Sequence, residues 1–159
     1  MAKKQRKRRR RPREPEYQSY IFRIEDWEPS YMFALNRSRH FEGPYWEHLD
    51  LSLEGVFLSP DKAKDRRASL KLLADRRETR AVTDPESCDW KPLCVGTLTI
   101  RGDRTDYLGS LPYDAMWGLI GLLSCGAIRM LDFHGQTLYR GEAKIETMHF
   151  ARDIDPEDW

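Results

Sequence analysis

Residues 45–58 read YWEHLDLSLEGVFL, and the alternation inside that stretch decides the fold. Leu49, Leu51, Leu53 and Phe57 fall on one side of an extended chain, while Trp46, His48, Asp50, Ser52 and Glu54 fall on the other. Successive side chains of a strand point to opposite faces, so the pattern is that of a strand with one buried and one solvated side. The run is longer than an ordinary strand. A bend or bulge is therefore expected near Gly55, and Pro60 should end it.

Working upstream, residues 17–27 place Tyr20, Phe22 and Ile24 on one face and read as a first strand. Residues 28–30, with Pro29, read as a turn, and 31–37 alternate again through Tyr31, Phe33 and Leu35. A loop with Gly43-Pro44 then leads into the central stretch. Downstream, 68–75 form another strand, and 76–92 are polar, carry Pro85 and Pro92, and read as an irregular loop. Residues 93–100 and 105–109 are strands joined by a turn at Arg101-Gly102-Asp103-Arg104.

Ser110 stands where an N-cap would, with Pro112 and Asp114 in the first turn of a helix over 112–124 and Gly126 as its stop. Met116, Trp117, Leu119, Ile120, Leu122 and Leu123 make that helix apolar almost all round, which predicts burial across the sheet. Gly118 and Gly121 would let another element approach it closely. A closing meander follows: 128–133, a His134-Gly135 turn, 136–140 and 143–150. The class expected is α+β, a mostly antiparallel β-sheet or partly closed β-barrel packed around one apolar helix (112–124). It forms a single domain over 17–152, with a basic tail over 1–16 and an acidic end over 153–159.

Charge is divided sharply along the chain. Residues 1–16 carry nine Lys/Arg and two Glu, or +7; the whole chain is +1, so residues 17–159 sum to −6, with 18 basic and 24 acidic side chains. A block this basic repels itself and buries nothing, so the tail is expected to be disordered. Against a polyanion, Arg6, Lys7, Arg8, Arg9, Arg10, Arg11 and Arg13 would neutralise phosphates and release counterions without reading bases. The same run also fits a targeting segment or attachment to an acidic protein. Cys88, Cys94 and Cys125 lack the spacing of a metal site or redox pair and are expected to be reduced. No apolar span reaches the length of a membrane crossing, and no secretory signal opens the chain. A cytoplasmic location is expected, nuclear in a eukaryote.

One group of residues in the domain carries candidate chemistry. Trp46, His48 and Asp50 project from one strand face, and a hairpin would bring Arg37 or Arg39 near them. Ser52 continues that face, and His40 precedes it in the loop. The cluster fits a solvated sheet face, a ligand-binding surface, or a small enzyme in which Asp50 orients His48 and His40 adds a metal ligand. His134 and His149 read as structural. No P-loop, dinucleotide fingerprint or hydrolase elbow is present, and no cofactor is expected.

The segment DLSLEG (50–55) resembles the D-x-S-x-x-G signature of PilZ domains, which bind cyclic di-GMP, and Arg9 with Arg13 supplies the R-x-x-x-R those domains carry upstream. The resemblance implies that Arg9 and Arg13 clamp phosphate and guanine, with Asp50 and Ser52 completing the site on a β-barrel. The leading expectation is a non-enzymatic interaction module whose basic arm contacts nucleic acid or another polyanion and whose acidic domain meets a protein partner. The cyclic di-GMP sensor is the alternative, and the His48/Asp50 enzyme the third.

Overall fold

The computed structural model describes residues 16–37, 43–87 and 92–154. Seven strands and two helices follow one another as β1 (Tyr17–Leu35), β2 (Tyr45–Ser59), β3 (Arg67–Asp75), α1 (Arg76–Thr83), β4 (Gly96–Arg101), β5 (Arg104–Pro112), α2 (Tyr113–Ser124), β6 (Met130–Gln136) and β7 (Glu142–Ala151). The strands make one mixed sheet in the order β1-β2-β3-β5-β4-β7-β6, and the pairing of β1 with β6 returns the sheet on itself. The class is α+β. Six of the pairings are antiparallel; β3–β5 is parallel, so the sheet is not antiparallel throughout.

The alternation in β2 holds. Leu49, Leu51, Leu53 and Phe57 are fully buried, as are Tyr20, Phe22, Leu70, Leu72, Leu98, Leu131, Phe133 and Ile145 from the strands around them. Aromatic edges fill the interior: Phe22 meets Phe57 at 5.0 Å between ring centroids and Tyr107 meets Phe133 at 4.5 Å. The expected irregularity at Gly55 is real. A Cβ there would lie 2.0 Å from the Arg23 carbonyl oxygen, and the β1–β2 register shifts between Ile24 and Asp26, opposite this close approach. β2 ends at Ser59, before Pro60.

Several local expectations are corrected. The turn at 28–30 does not exist: β1 runs unbroken through Pro29, which pairs with Leu51. Proline is tolerated because β6 accompanies β1 only as far as Arg23, leaving the rest of β1 with a free edge. The polar segment after β3 contains a helix, α1. Its N-cap Asp75 accepts a hydrogen bond from the Arg77 N–H, and Glu78 sits in the first turn. The helix buries no residue, so no apolar stripe marks it in the sequence. A 3-10 turn, Pro85–Ser87, follows.

The His134-Gly135 turn is likewise absent. β6 passes straight through to Gln136, with a bulge against β7 between those two residues. The reversal comes at Arg140 and Gly141, both at positive φ, between Tyr139 and Glu142, which exchange two backbone hydrogen bonds. That is the geometry of a two-residue hairpin turn with both central residues left-handed.

The α2 helix is half buried rather than enclosed. Met116, Leu119 and Leu123 join the core, but Trp117 and Leu122 are exposed, and a Cβ at Gly118 or Gly121 would meet only open space. Ser110 is not its N-cap. Ser110 lies in β5 and donates to Glu78, while the Tyr113 N–H of α2 donates to Thr79 Oγ1 of α1 at 2.7 Å. One helix thus caps the other. The expected tail and acidic end fall largely outside the described residues, as do Cys88, Arg39 and His40; Cys94 and Cys125 are free thiols.

Truncation of the β2 core should be costly and truncation of the open face of α2 should not. Leu51→Ala is expected to lower the unfolding free energy by about 2–5 kcal/mol in a urea titration. Leu122→Ala should stay within about 0.5 kcal/mol of the parent. Equal losses at both positions would mean that α2 is enclosed after all.

Candidate functional site

β1 and β2 are longer than the strands beside them. β6 pairs with β1 only from Tyr17 to Arg23, and β3 pairs with β2 only from Asp50 to Val56. Beyond those limits, residues 31–35 and 45–49 pair only with each other, as a two-stranded arm. The arm keeps the two faces of the sheet that feeds it.

On the inward face, Tyr31, Phe33, Leu35 and Tyr45 continue the register of Leu49 and Leu51, and among the described residues they stay at least half open. They are 50%, 60%, 60% and 55% exposed, whereas Leu49 at the base is fully buried. Phe33 stacks on Tyr45, centroids 5.2 Å apart and planes 25° from parallel, and Tyr31 meets Trp117 of α2 at 5.8 Å. Phe33, Tyr45, Glu47 and Arg76 line a cleft of about 500 Å³, to which Trp46, exposed and alternating to the outward face with His48, also contributes. Seen from sequence, Tyr31, Phe33 and Leu35 read as ordinary residues of one strand face; alternation identifies a face but does not reveal whether anything covers it.

Glu47 fixes the base of this surface. Its carboxylate accepts from the Tyr31 hydroxyl at 3.1 Å and the Tyr113 hydroxyl at 2.9 Å, and pairs with Arg76, whose guanidinium lies 5.0 Å over the Tyr113 ring. Arm, α1 and α2 therefore meet at one carboxylate. The signal for it was available: Glu47 is the one acid in an otherwise aromatic and aliphatic inward series of β2 between Tyr45 and Leu53.

The outward face holds the residues singled out from sequence. His48 and Asp50 do meet, Nε2 to Oδ2 at 2.9 Å, and Lys71 of β3 adds a contact to the same oxygen at 3.4 Å. Asp50 is only 7% exposed, so its carboxylate is held among neighbours rather than presented. Ser52 is half-buried, between Glu28 and Lys71 in the register. Arg37 is exposed just past the end of β1 and makes no ion pair with this group. Arg39, His40, Arg6, Lys7, Arg8, Arg9, Arg10, Arg11 and Arg13 lie outside the described residues. Among the described residues no group of three His, Cys, Asp or Glu side chains converges as a metal site, and no helix is long and apolar enough to cross a membrane.

A second buried carboxylate was not anticipated. Asp132 of β6 is 2% exposed and lies on the face opposite Leu131 and Phe133. Its Oδ2 accepts from Ser19 at 3.4 Å, and Oδ1 has no hydrogen-bond partner. Burial pushes this carboxyl above the ordinary aspartate range, against the opposing pull of the Ser19 hydroxyl and of His134 and His149. Ser19 also contacts His134 Nδ1 at 3.3 Å, and Tyr17 stacks on that ring.

No family model, curated protein or solved structure matches this chain.

Asp132 yields a pH prediction. A carboxyl whose pKa is higher in the folded than in the unfolded chain holds its proton more tightly when folded, so its contribution favours folding in acid and is lost as the pH rises through the folded-state value. Asp132→Asn removes the buried charge. The variant should melt above the parent at neutral pH, and the gap should close as the pH falls towards ~4. A variant that melts lower at neutral pH would show that the ionised carboxylate is instead stabilising.

Proposed function

We propose that this chain is a non-enzymatic binding module. Its basic N-terminal residues Arg6, Lys7, Arg8, Arg9, Arg10, Arg11 and Arg13 neutralise the phosphates of a nucleic acid, and the folded domain offers the two-stranded arm to a macromolecule. The arm is the observation that carries the reading. Tyr31, Phe33, Leu35 and Tyr45 stand in the register of core residues yet remain at least half exposed, beside an exposed Trp117. A contiguous apolar surface of this kind on a single chain marks a place where another molecule sits.

The charge layout supports the same reading. A +7 segment on a body of −6 gives the molecule a strong charge dipole, which favours an oriented approach to a polyanion. Binding through such a segment follows the phosphate backbone and is independent of sequence. The acidic body is repelled by the same polymer, so the contact has to be concentrated at the basic end and at whatever uncompensated cations the domain exposes.

Fluorescence anisotropy with labelled duplex and single-stranded oligonucleotides tests the tether. With six or more phosphates neutralised, affinity should fall by about 10³-fold or more between ~50 and ~200 mM salt. A chain beginning at Glu16 should lose that salt-sensitive binding. If the shortened and full chains bind alike, the basic segment is not the contact and the reading falls.

A further inference from the structure

We propose that the arm and α1 form a track for single-stranded nucleic acid, with bases stacked on Phe33 and Tyr45 and phosphates held by Arg80, next to the Glu47-paired Arg76. The inference rests on the nucleic-acid reading above and gives the domain a part in it. Three observations carry it. First, the exposed inward face of the arm is aromatic, and its central pair, Phe33 and Tyr45, already stacks nearly in parallel, leaving ring faces for a further flat partner. Base–aromatic stacking tolerates any base, since every base has a π-face, and it needs bases that are not already paired.

Second, cations run on from the rings. Arg76 lines the aromatic cleft and also the neighbouring groove formed by Thr79, Arg80, Thr83 and Tyr113. Arg76 and Arg80 stand one helical turn apart on α1, so they lie on one face of it. Arg80 is exposed and makes no ion pair among the described residues. Arg37, exposed at the end of β1, lies at the far end of the arm.

Third, the acids nearest this track are occupied. Glu47 is held by Arg76 and two tyrosine hydroxyls, Asp75 by Arg77 at 2.8 Å, and Glu78 accepts from Ser110. Arg77 keeps the Asp75 carboxyl below its usual range, so that acid stays ionised and paired. Asp114 is the exception, since it lines the α1 groove and opposes a phosphate there. Its removal should therefore help.

The test uses the full chain with labelled single-stranded and duplex oligonucleotides of equal length. The parent should prefer the single strand. Phe33→Ala with Tyr45→Ala should weaken single-strand binding roughly tenfold or more while leaving duplex binding unchanged. Arg80→Ala should weaken it and Asp114→Asn should strengthen it. Phe33→Trp and Tyr45→Phe, which keep a ring, should retain parental affinity and guard against a folding defect in the alanine variants.

If the double alanine variant folds, with parental melting behaviour, and binds the single strand as the parent does, the track is overturned. If sedimentation shows a dimer that this variant dissolves without changing oligonucleotide binding, a second copy occupies the face and the track is likewise overturned. A full chain with the seven basic residues from Arg6 to Arg13 changed to Gln separates the two readings. Loss of all binding there, with the aromatic variant unaffected, leaves the tether and removes the track. Loss of binding only in the aromatic variant leaves the track and removes the tether.

Discussion

A closed ring of strands that all run opposite to their neighbours must have an even number of members. This sheet has seven, so one neighbouring pair has to run the same way, and that pair is β3–β5. Parallel neighbours cannot be joined by a tight turn; they need a long crossover. Here the crossover leaves β3, forms α1, and places β4 before β5 begins. The position of α1 follows from this need. Leaving the end of β3, it stands beside the base of the arm, where Arg76 reaches Glu47 and Thr79 caps α2.

The arm itself is a matter of unequal lengths. β1 has nineteen residues against seven in β6, and β2 has fifteen against nine in β3. Whatever exceeds the neighbours must project as a hairpin, and an isolated two-stranded hairpin is marginal in water. This one is held at its root, by the ring contact of Tyr31 with Trp117 and by the Glu47 carboxylate shared among Tyr31, Tyr113 and Arg76. The exposed half of α2 belongs to the same arrangement, since Trp117 faces the arm and not the core.

Local patterns were legible in the sequence where one contact set decided them. The buried faces of β2 and of Tyr20 with Phe22, the bulge at Gly55, the β4–β5 turn and the His48–Asp50 pair all follow from alternation or turn chemistry within a few residues. Strand order did not, because the β1–β6 and β3–β5 pairings join residues far apart in the chain. Pro29 signals a turn in the sequence but sits in β1, because proline disfavours a strand only where its missing N–H is needed, and the free edge there does not need it. α1 went unread because it buries nothing, which leaves Asp75 and Glu78 as its only markers. Lys71 at Asp50 and Arg76 at Glu47 arrive from other elements, so neither half of the candidate site shows its counter-charges in the sequence.

Glu47 ties these points together. It occupies an inward position of β2, in series with Tyr45 and Leu49, where an apolar residue would have extended the core. A carboxylate there would be costly to enclose alone, and removing the charge from water is offset only by partners that satisfy it. Oε2 takes the hydroxyls of Tyr31 and Tyr113, from β1 and α2, while Oε1, without a hydrogen-bond partner, has the Arg76 guanidinium of α1 as its counter-charge. An acid at that register marks where burial stops. Below it the inward face of β2 is core; above it the inward face of the arm is aromatic and open. The crossover required by an odd number of strands thus supplies the cation that lets the sheet end in an exposed surface.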